Sequence, residues 1–243
     1  MSRAPARAQD VDPNERESEA ARNATGPQIQ SDTHLVMIDL ETGGLQITRP
    51  IIQIAAIAVD RHLNELDAFE VKIKFDEGKA CPDALRRVHY RRAEWKRSAV
   101  SPKKAAWAFA RFLRQHASVE VLRRDLTTFR VAQLASHNSQ FDAPFLTEWF
   151  DRLGIFLPAS YRVFCTLQRA YWLFQERPQL PSPDDFRLGT LCEYFGVPFN
   201  PADAHEALAD ARAALAVYRA ILETEPDVSP SAARSSHGSQ SVC

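Results

Sequence analysis

The order of hydrophobic patterns predicts an α/β or α+β domain, a sheet covered by layers of helix. Three features carry that expectation. Two nearly continuous apolar runs come first, a cleanly alternating run follows, and helical periodicities with short strands between them fill the rest. His34 to Glu41 holds Leu35, Val36, Met37, Ile38 and Leu40, and Ile51 to Val59 is a β-branched and alanine run broken only by Gln53. Both suit strands buried on two faces. Ala68 to Phe75 places Phe69, Val71, Ile73 and Phe75 on one side and Glu70, Lys72 and Lys74 on the other. Such alternation marks a half-solvated antiparallel strand.

Helices are expected next. Ser101-Pro102 supplies an N-cap and a first-turn proline ahead of Ala105, Phe109, Phe112 and Leu113. A short strand is expected at Val131 to Ala135. Behind it, Phe141, Phe145, Trp149 and Leu153 recur at helical spacing and Gly154 closes the helix. Cys165 to Gln175 and Leu188 to Phe195 read as helices, with Pro178, Pro181 and Pro183 forcing a loop between them and Gly196 ending the second. The last helix spans about Asp203 to Glu223, with Leu208, Ala211, Leu215, Tyr218 and Leu222 as its apolar stripe and Asp203 and Glu206 spaced as a capping box.

The ends of the chain differ from this core. Residues 1 to 30 contain four Arg, five acids and almost no large apolar side chain, and residues 226 to 243 include six Ser. Neither can bury enough surface to offset its ordering entropy, so both read as disordered tails around one domain, 31 to 225. Cys81, Cys165, Cys192 and Cys243 are scattered without a CxxC pair, as expected of reduced thiols in a cytoplasmic protein. No run approaches the roughly 20 apolar residues of a membrane span, and no apolar signal segment opens the chain. Thirty basic and 31 acidic residues give a net charge of -1, which taken globally argues against a nucleic-acid partner.

Several acids break the pattern. Asp39 and Glu41 interrupt an apolar strand and project to one face, about 7 Å apart along it. Ionised carboxylates in a core strand are costly unless paired or bound to metal. The plain alternative is a strand end open to water, where Thr42-Gly43-Gly44 turns. Asp142 falls in the first turn of a helix, a position the helix dipole favours without any function, with Asn138 or Ser139 as N-cap. Asp210 lies about 100° from the apolar stripe of the last helix and also suits a solvated flank.

Taken in order, Asp39-Leu40-Glu41-Thr42-Gly43-Gly44-Leu45, His137-Asn138-x-x-Phe141-Asp142 and His205-x-Ala207-x-x-Asp210 resemble the three motifs of the DEDDh exonucleases. That family includes the proofreading subunit of bacterial DNA polymerase III, ribonuclease T and oligoribonuclease. Ile51-Ile52-Gln53-Ile54 is similar to its second strand, and Phe186 to Leu191 to the helix entering its third motif. The resemblance implies a ribonuclease H-like fold, a mixed five-stranded sheet flanked by helices. It also implies a 3′-to-5′ exonuclease that releases nucleoside 5′-monophosphates from DNA. RNA as the substrate and a non-catalytic nucleic-acid-binding module remain the alternatives, and a DNA polymerase is a possible partner.

In that reading Asp39, Glu41, Asp142 and Asp210 hold two Mg²⁺ or Mn²⁺ ions, hard cations suited to oxygen ligands. His205 is the general base, since imidazole titrates near neutrality. Thr42, Gly43, Leu45, Asn138 and Phe141 contact the terminal nucleotide of a single-stranded 3′ end. Two positions depart from the family: Gly43 stands where a second Thr is common, and Tyr90 where a glycine follows a His. Independently, Arg86 to Arg97 carries six basic residues and one acid, Glu94, with Tyr90 and Trp95 interleaved. Cations with aromatics suit a single strand, the alternative being a solvated face with its rings packed inward.

Overall fold

The computed structural model describes residues 32–200 and 205–224. The expected tails, 1–30 and 226–243, lie outside the described residues, as does Asp203 of the expected capping box. Strands β1 (Leu35–Thr42), β2 (Ile51–Val59) and β3 (Glu65–Lys72) form an antiparallel meander. Two short strands, β6 (Leu134–Ser136) and β7 (Phe164–Cys165), extend the sheet in parallel on the far side of β1. The order β3-β2-β1-β6-β7 makes the mixed five-stranded sheet of a ribonuclease H-like fold. The helices are α1 (Pro82–Arg87), α2 (Arg92–Ser98), α3 (Pro102–Gln115), α4 (Ser139–Leu153), α5 (Thr166–Glu176), α6 (Leu188–Phe195) and α7 (Ala207–Thr224).

Side chains of β1 alternate between two helical layers. Val36, Ile38 and Leu40 meet Phe109 and Leu113 of α3 and Phe145, Leu146 and Phe150 of α4. Leu35 and Met37 face Ala211, Ala214 and Leu215 of α7 on the other side. Because the period is two, Asp39 and Glu41 continue the row of Leu35 and Met37 and point toward α7. The other flank of α7, Ala213, Val217 and Ile221, packs on α5 and α6 through Ala170, Leu173, Leu191 and Cys192.

Ser101 caps α3 by accepting the Lys104 N–H, and Gly154 and Gly196 end α4 and α6 at φ 67° and 66°, the left-handed geometry that favours glycine. Four expectations needed correction. The third strand stops at Lys72, because the Lys74 N–H leaves β2 and bonds the Val100 carbonyl at 2.8 Å. The single strand expected at Val131–Ala135 is two: β6, and the second arm of a separate hairpin, β4 (Val119–Leu122) with β5 (Thr128–Val131). The last helix begins at Ala207, its first bond running from the Asp210 N–H to the Glu206 carbonyl at 3.0 Å. Leu222, placed on its apolar stripe, is exposed, while Ala207 and Val217 are fully buried.

Phe109 is the hub of the larger core, touching Phe69, Phe112 and Phe150 at ring-centroid distances of 5.3, 6.4 and 6.4 Å. Phe109→Ala should lower unfolding free energy by about 3–5 kcal/mol in denaturant titration. A loss below 1 kcal/mol would mean that the core does not depend on this ring.

Candidate active site

Topology gathers the acids. β1 and β6 run parallel, so the chain leaving β6 starts α4 at the same sheet edge where Asp39 and Glu41 end β1. Asp142 sits in the first turn of α4, and Asp210 in the first turn of α7. All four line one cleft of about 640 Å³, together with His205, Thr42, Leu45, Asn138 and Phe141. Gly43 alone of the ten expected site residues stays out of the cleft wall.

The carboxylates are buried without a paired cation. Glu41, Asp142 and Asp210 have little solvent exposure, and Asp39 opens only toward the cleft. No ion pair to any of the four is present among the described residues. Burial pushes the Glu41 carboxyl up to about 10, with Asp39, Asp210 and Asp142 adding like-charge repulsion. Burial is also the main cause that raises Asp142 to about 7 and Asp210 to about 6. Asp39 lies well above the usual carboxylate range, through burial first and then Asp142 and Asp210. Across the sheet from Glu41 stands Gln53, neutral and bonded to Glu70 at 2.6 Å.

Asp210 and His205 are locked together. The His205 N–H donates to Asp210 Oδ2 at 3.0 Å, and His205 adopts a left-handed φ of 67° to make that bond. The other oxygen, Oδ1, is buried and has no partner among the described residues. Ligand atoms of Glu41, His205 and Asp210 all lie within 4.8 Å of one another. An orphaned, buried carboxylate oxygen beside two further donors fits a divalent cation. Burial lowers the His205 pKa, and the Arg87 guanidinium lowers it further, with a contribution from nearby His89, so the neutral ring able to accept a proton is favoured.

The loop after β1 shapes the rim. A bulge between Glu41 and Thr42 shifts the register against β2. The Gly43 N–H then bonds the Pro50 carbonyl at 2.8 Å, and the Cys81 N–H bonds the Gly43 carbonyl at 2.7 Å. A Cβ on Gly43 would come within 2.9 Å of both Ala80 and Pro50, which explains why a second Thr does not stand here. Gly44, at φ 147°, turns the chain so that Leu45 projects into solvent at the cleft mouth, 82% exposed. Arg152 at the end of α4 holds this loop through the Ile47 and Thr48 carbonyls, at 3.3 and 3.4 Å.

Among the cleft-wall residues absent from the expected set are His137, Arg87 and Arg49. His137 Nε2 faces the Phe186 carbonyl at 3.0 Å and must carry the proton, so Nδ1 accepts from the Thr166 hydroxyl at 3.0 Å. That ring ties the β6–α4 junction to the chain entering α6. Arg49 is held by the Lys79 carbonyl at 2.9 Å, whereas Arg87 is exposed at the cleft. The basic run pointed toward Arg87, but its aromatics pack inward. Trp95 is 5% exposed, with its Nε1–H on the Ile52 carbonyl and Lys72 above its ring. Tyr90 donates to Glu77 at 2.8 Å and sets its ring against Trp95.

A cleft of buried acids at the edge of this sheet defines a nuclease of the ribonuclease H-like class. The RNase_T exonuclease family matches residues 36–120 and 115–218, and the chain belongs to that family, the 3′-to-5′ exonucleases of DEDDh type. Among solved structures, the zinc-bound form of the E. coli ExoI–ssDNA complex is 19% identical, with a TM-score of 0.63, over 79% of this chain and 41% of that one. E. coli exonuclease I in complex with a dT13 oligonucleotide is 20% identical, TM-score 0.61, over 78% of this chain and 41% of that one. The chain thus spans about two fifths of the length of those relatives, and at this identity the likeness bears on the fold. No curated protein sequence matches the chain. Among the described residues no helix is long and apolar enough to cross a membrane.

The raised carboxyls give a signed pH dependence. Unfolded, these groups titrate near 4; folded, Asp210, Asp142 and Glu41 retain protons up to about 6, 7 and 10. Above pH 4 the folded metal-free protein therefore holds more protons than the unfolded chain, and the cluster's contribution to stability falls as pH rises. Glu41→Gln should raise the metal-free Tm at pH 7.5 and flatten the decline between pH 5 and 7.5 relative to the unsubstituted protein. Buried, neutral His137, whose pKa is lowered, acts with the opposite sign in both proteins and cancels in the comparison. A Glu41→Gln Tm below that of the unsubstituted metal-free protein at pH 7.5 would contradict the uncompensated cluster.

Proposed function

We propose that one catalytic domain, residues 31–225, removes nucleotides from single-stranded 3′ ends of DNA and releases nucleoside 5′-monophosphates. The observation that carries this reading is the convergence on one cleft of a neutral histidine and four carboxylates that no ion pair neutralises among the described residues. Asp39, Glu41, Asp142 and Asp210 are the residues to hold two divalent ions, Mg²⁺ or Mn²⁺. Their combined charge of about -4 and hard oxygen donors suit such cations, and the orphaned Asp210 Oδ1 supplies a free ligand atom. When bound, divalent metal lowers the pKa of an attacking water and balances charge on the leaving 3′ oxygen.

The remaining work falls to the chain. His205 accepts the proton of the attacking water, and its bond to Asp210 holds the ring's backbone at the cleft. Asn138 and Phe141, at the start of α4, and Thr42 and Leu45, at the rim, position the terminal nucleotide. Gly43 supports that group from behind, by letting the loop close on Ala80 and Pro50. Cys81, Cys165 and Cys192 are free thiols, in keeping with a cytoplasmic location.

A 5′-labelled single-stranded DNA 30-mer incubated with Mg²⁺ or Mn²⁺ should shorten from its 3′ end and yield 5′-mononucleotides, while Asp142→Ala leaves it intact. His205→Ala should slow the reaction about 10²–10⁴-fold. Matched RNA digested faster than DNA would reassign the substrate. No digestion of either polymer with either metal overturns the catalytic reading.

A further inference from the structure

The acidic cleft creates a problem that its own residues do not solve. Four carboxylates repel the phosphates of any strand lying beyond the metal-bound end, so affinity for the body of the polymer has to come from cations elsewhere. Between Arg86 and Arg114 the chain carries ten Lys or Arg and a single acid, Glu94, and that acid is already paired with Lys72 of β3.

Helix α3 turns this composition into a surface. Its Ala105, Ala106, Phe109, Ala110, Phe112 and Leu113 are buried, which leaves Lys103, Lys104, Trp107 and Arg111 on the outward face. Lys103, Trp107 and Arg111 follow one another at four-residue spacing, about 6 Å apart along the axis. Trp107 is 52% exposed, unlike Trp95, which the core covers. No ion pair neutralises Lys103, Lys104 or Arg111 among the described residues. Lys96 and Arg97 extend the exposed charge onto α2.

The stripe begins at the sheet edge that carries the cleft. Val100, between α2 and α3, bonds to Lys72 at 3.0 Å and to Lys74 at 2.8 Å. Ile73, between those two lysines, bonds to Ile52, next to the Ile51 that faces Thr42. Arg87 in the cleft wall, α2 and α3 thus follow one another in the chain, the start of α3 is anchored at the sheet edge that carries the cleft, and an exposed indole lies in the second turn of α3. A row of unpaired cations matches phosphates, and an open indole offers a stacking platform for a base of any identity.

We infer that the outward face of α2 and α3, centred on Trp107, binds single-stranded nucleic acid on the 5′ side of the end held in the cleft. This rests on the proposed exonuclease reading, and it assigns the source of affinity for long substrates. Charge contacts to phosphates and stacking on an indole do not discriminate between bases, so the surface accepts any sequence.

Two measurements on the full chain test it: anisotropy of a 5′-fluorescein dT30 in EDTA, and turnover of a trinucleotide beside a DNA 30-mer with Mg²⁺ or Mn²⁺. Trp107→Ala should weaken dT30 binding about tenfold. Lys104→Glu with Arg111→Glu should reduce the slope of log affinity against log salt by about 1.4. Both variants should raise KM for the 30-mer, keep trinucleotide turnover, and melt within a few degrees of the unsubstituted protein. Variants that bind dT30 like the unsubstituted protein overturn the inference, as does an unsubstituted protein that ignores dT30. An equal loss on trinucleotide and 30-mer also overturns it. If dT30 binds through Trp107 but no digestion occurs, the catalytic reading fails and the surface stands.

Discussion

Four buried carboxylates with no cation among them are the constraint around which this molecule is arranged. Left to themselves, such groups separate, protonate or draw in water. Here they are fixed by three separate elements whose positions the core dictates. The first two sit on β1, whose apolar residues are shut between two helical layers. Asp142 follows from the parallel pairing of β1 and β6, which brings the start of α4 to the same edge. Asp210 is held because α7 packs on the sheet with one flank and on α5 and α6 with the other. The repulsion is therefore balanced by packing far from the acids, and a divalent cation fits where no Lys or Arg pairs with them among the described residues.

The rim is built differently, from backbone bonds. Gly43 and Cys81 join two loops, Arg152 grips two carbonyls, and His137 reaches the carbonyl of Phe186. These bonds fix main-chain position while leaving side chains such as Leu45 free to meet a ligand. His205 follows the same logic: its backbone is bound to Asp210, and the ring keeps its proton-accepting nitrogen. The glycine that departs from the family pattern belongs to this scheme, since its lack of a Cβ lets the Ala80 segment and Pro50 close against the strand end.

Much of this was legible in the chain. Periodicity located β1 and β2 because each residue alternates between two apolar layers, and glycine located the ends of α4 and α6 because only a left-handed residue closes them. The burial of Asp210 was not legible. Reading a 100° offset as a solvated flank assumes a helix buried on one side, and α7 is buried on two. The β4–β5 hairpin escaped for the opposite reason: its strands are half-exposed and only four residues long, too short for a period to stand out. Trp95 and Tyr90 looked like stacking groups from composition alone, yet Ile52 and Glu77, distant in sequence, hold them inward.

The net charge of -1 hides the feature that organises function. Four acids are gathered at one sheet edge by strand and helix geometry, while ten of the 30 bases lie between Arg86 and Arg114 and none is paired with those four acids among the described residues. Opposite charges so placed do not neutralise each other, because the acids are buried and the exposed bases are screened by solvent and salt beyond about 10 Å. Separation is also what the chemistry requires. A lysine paired with the carboxylates inside the cleft would satisfy them and remove the demand for a divalent ion. Cations on the outer face can attract a polyanion without touching the reacting atoms. Summed charge therefore carries little information about the partner of such a protein; the distance between the two signs carries most of it.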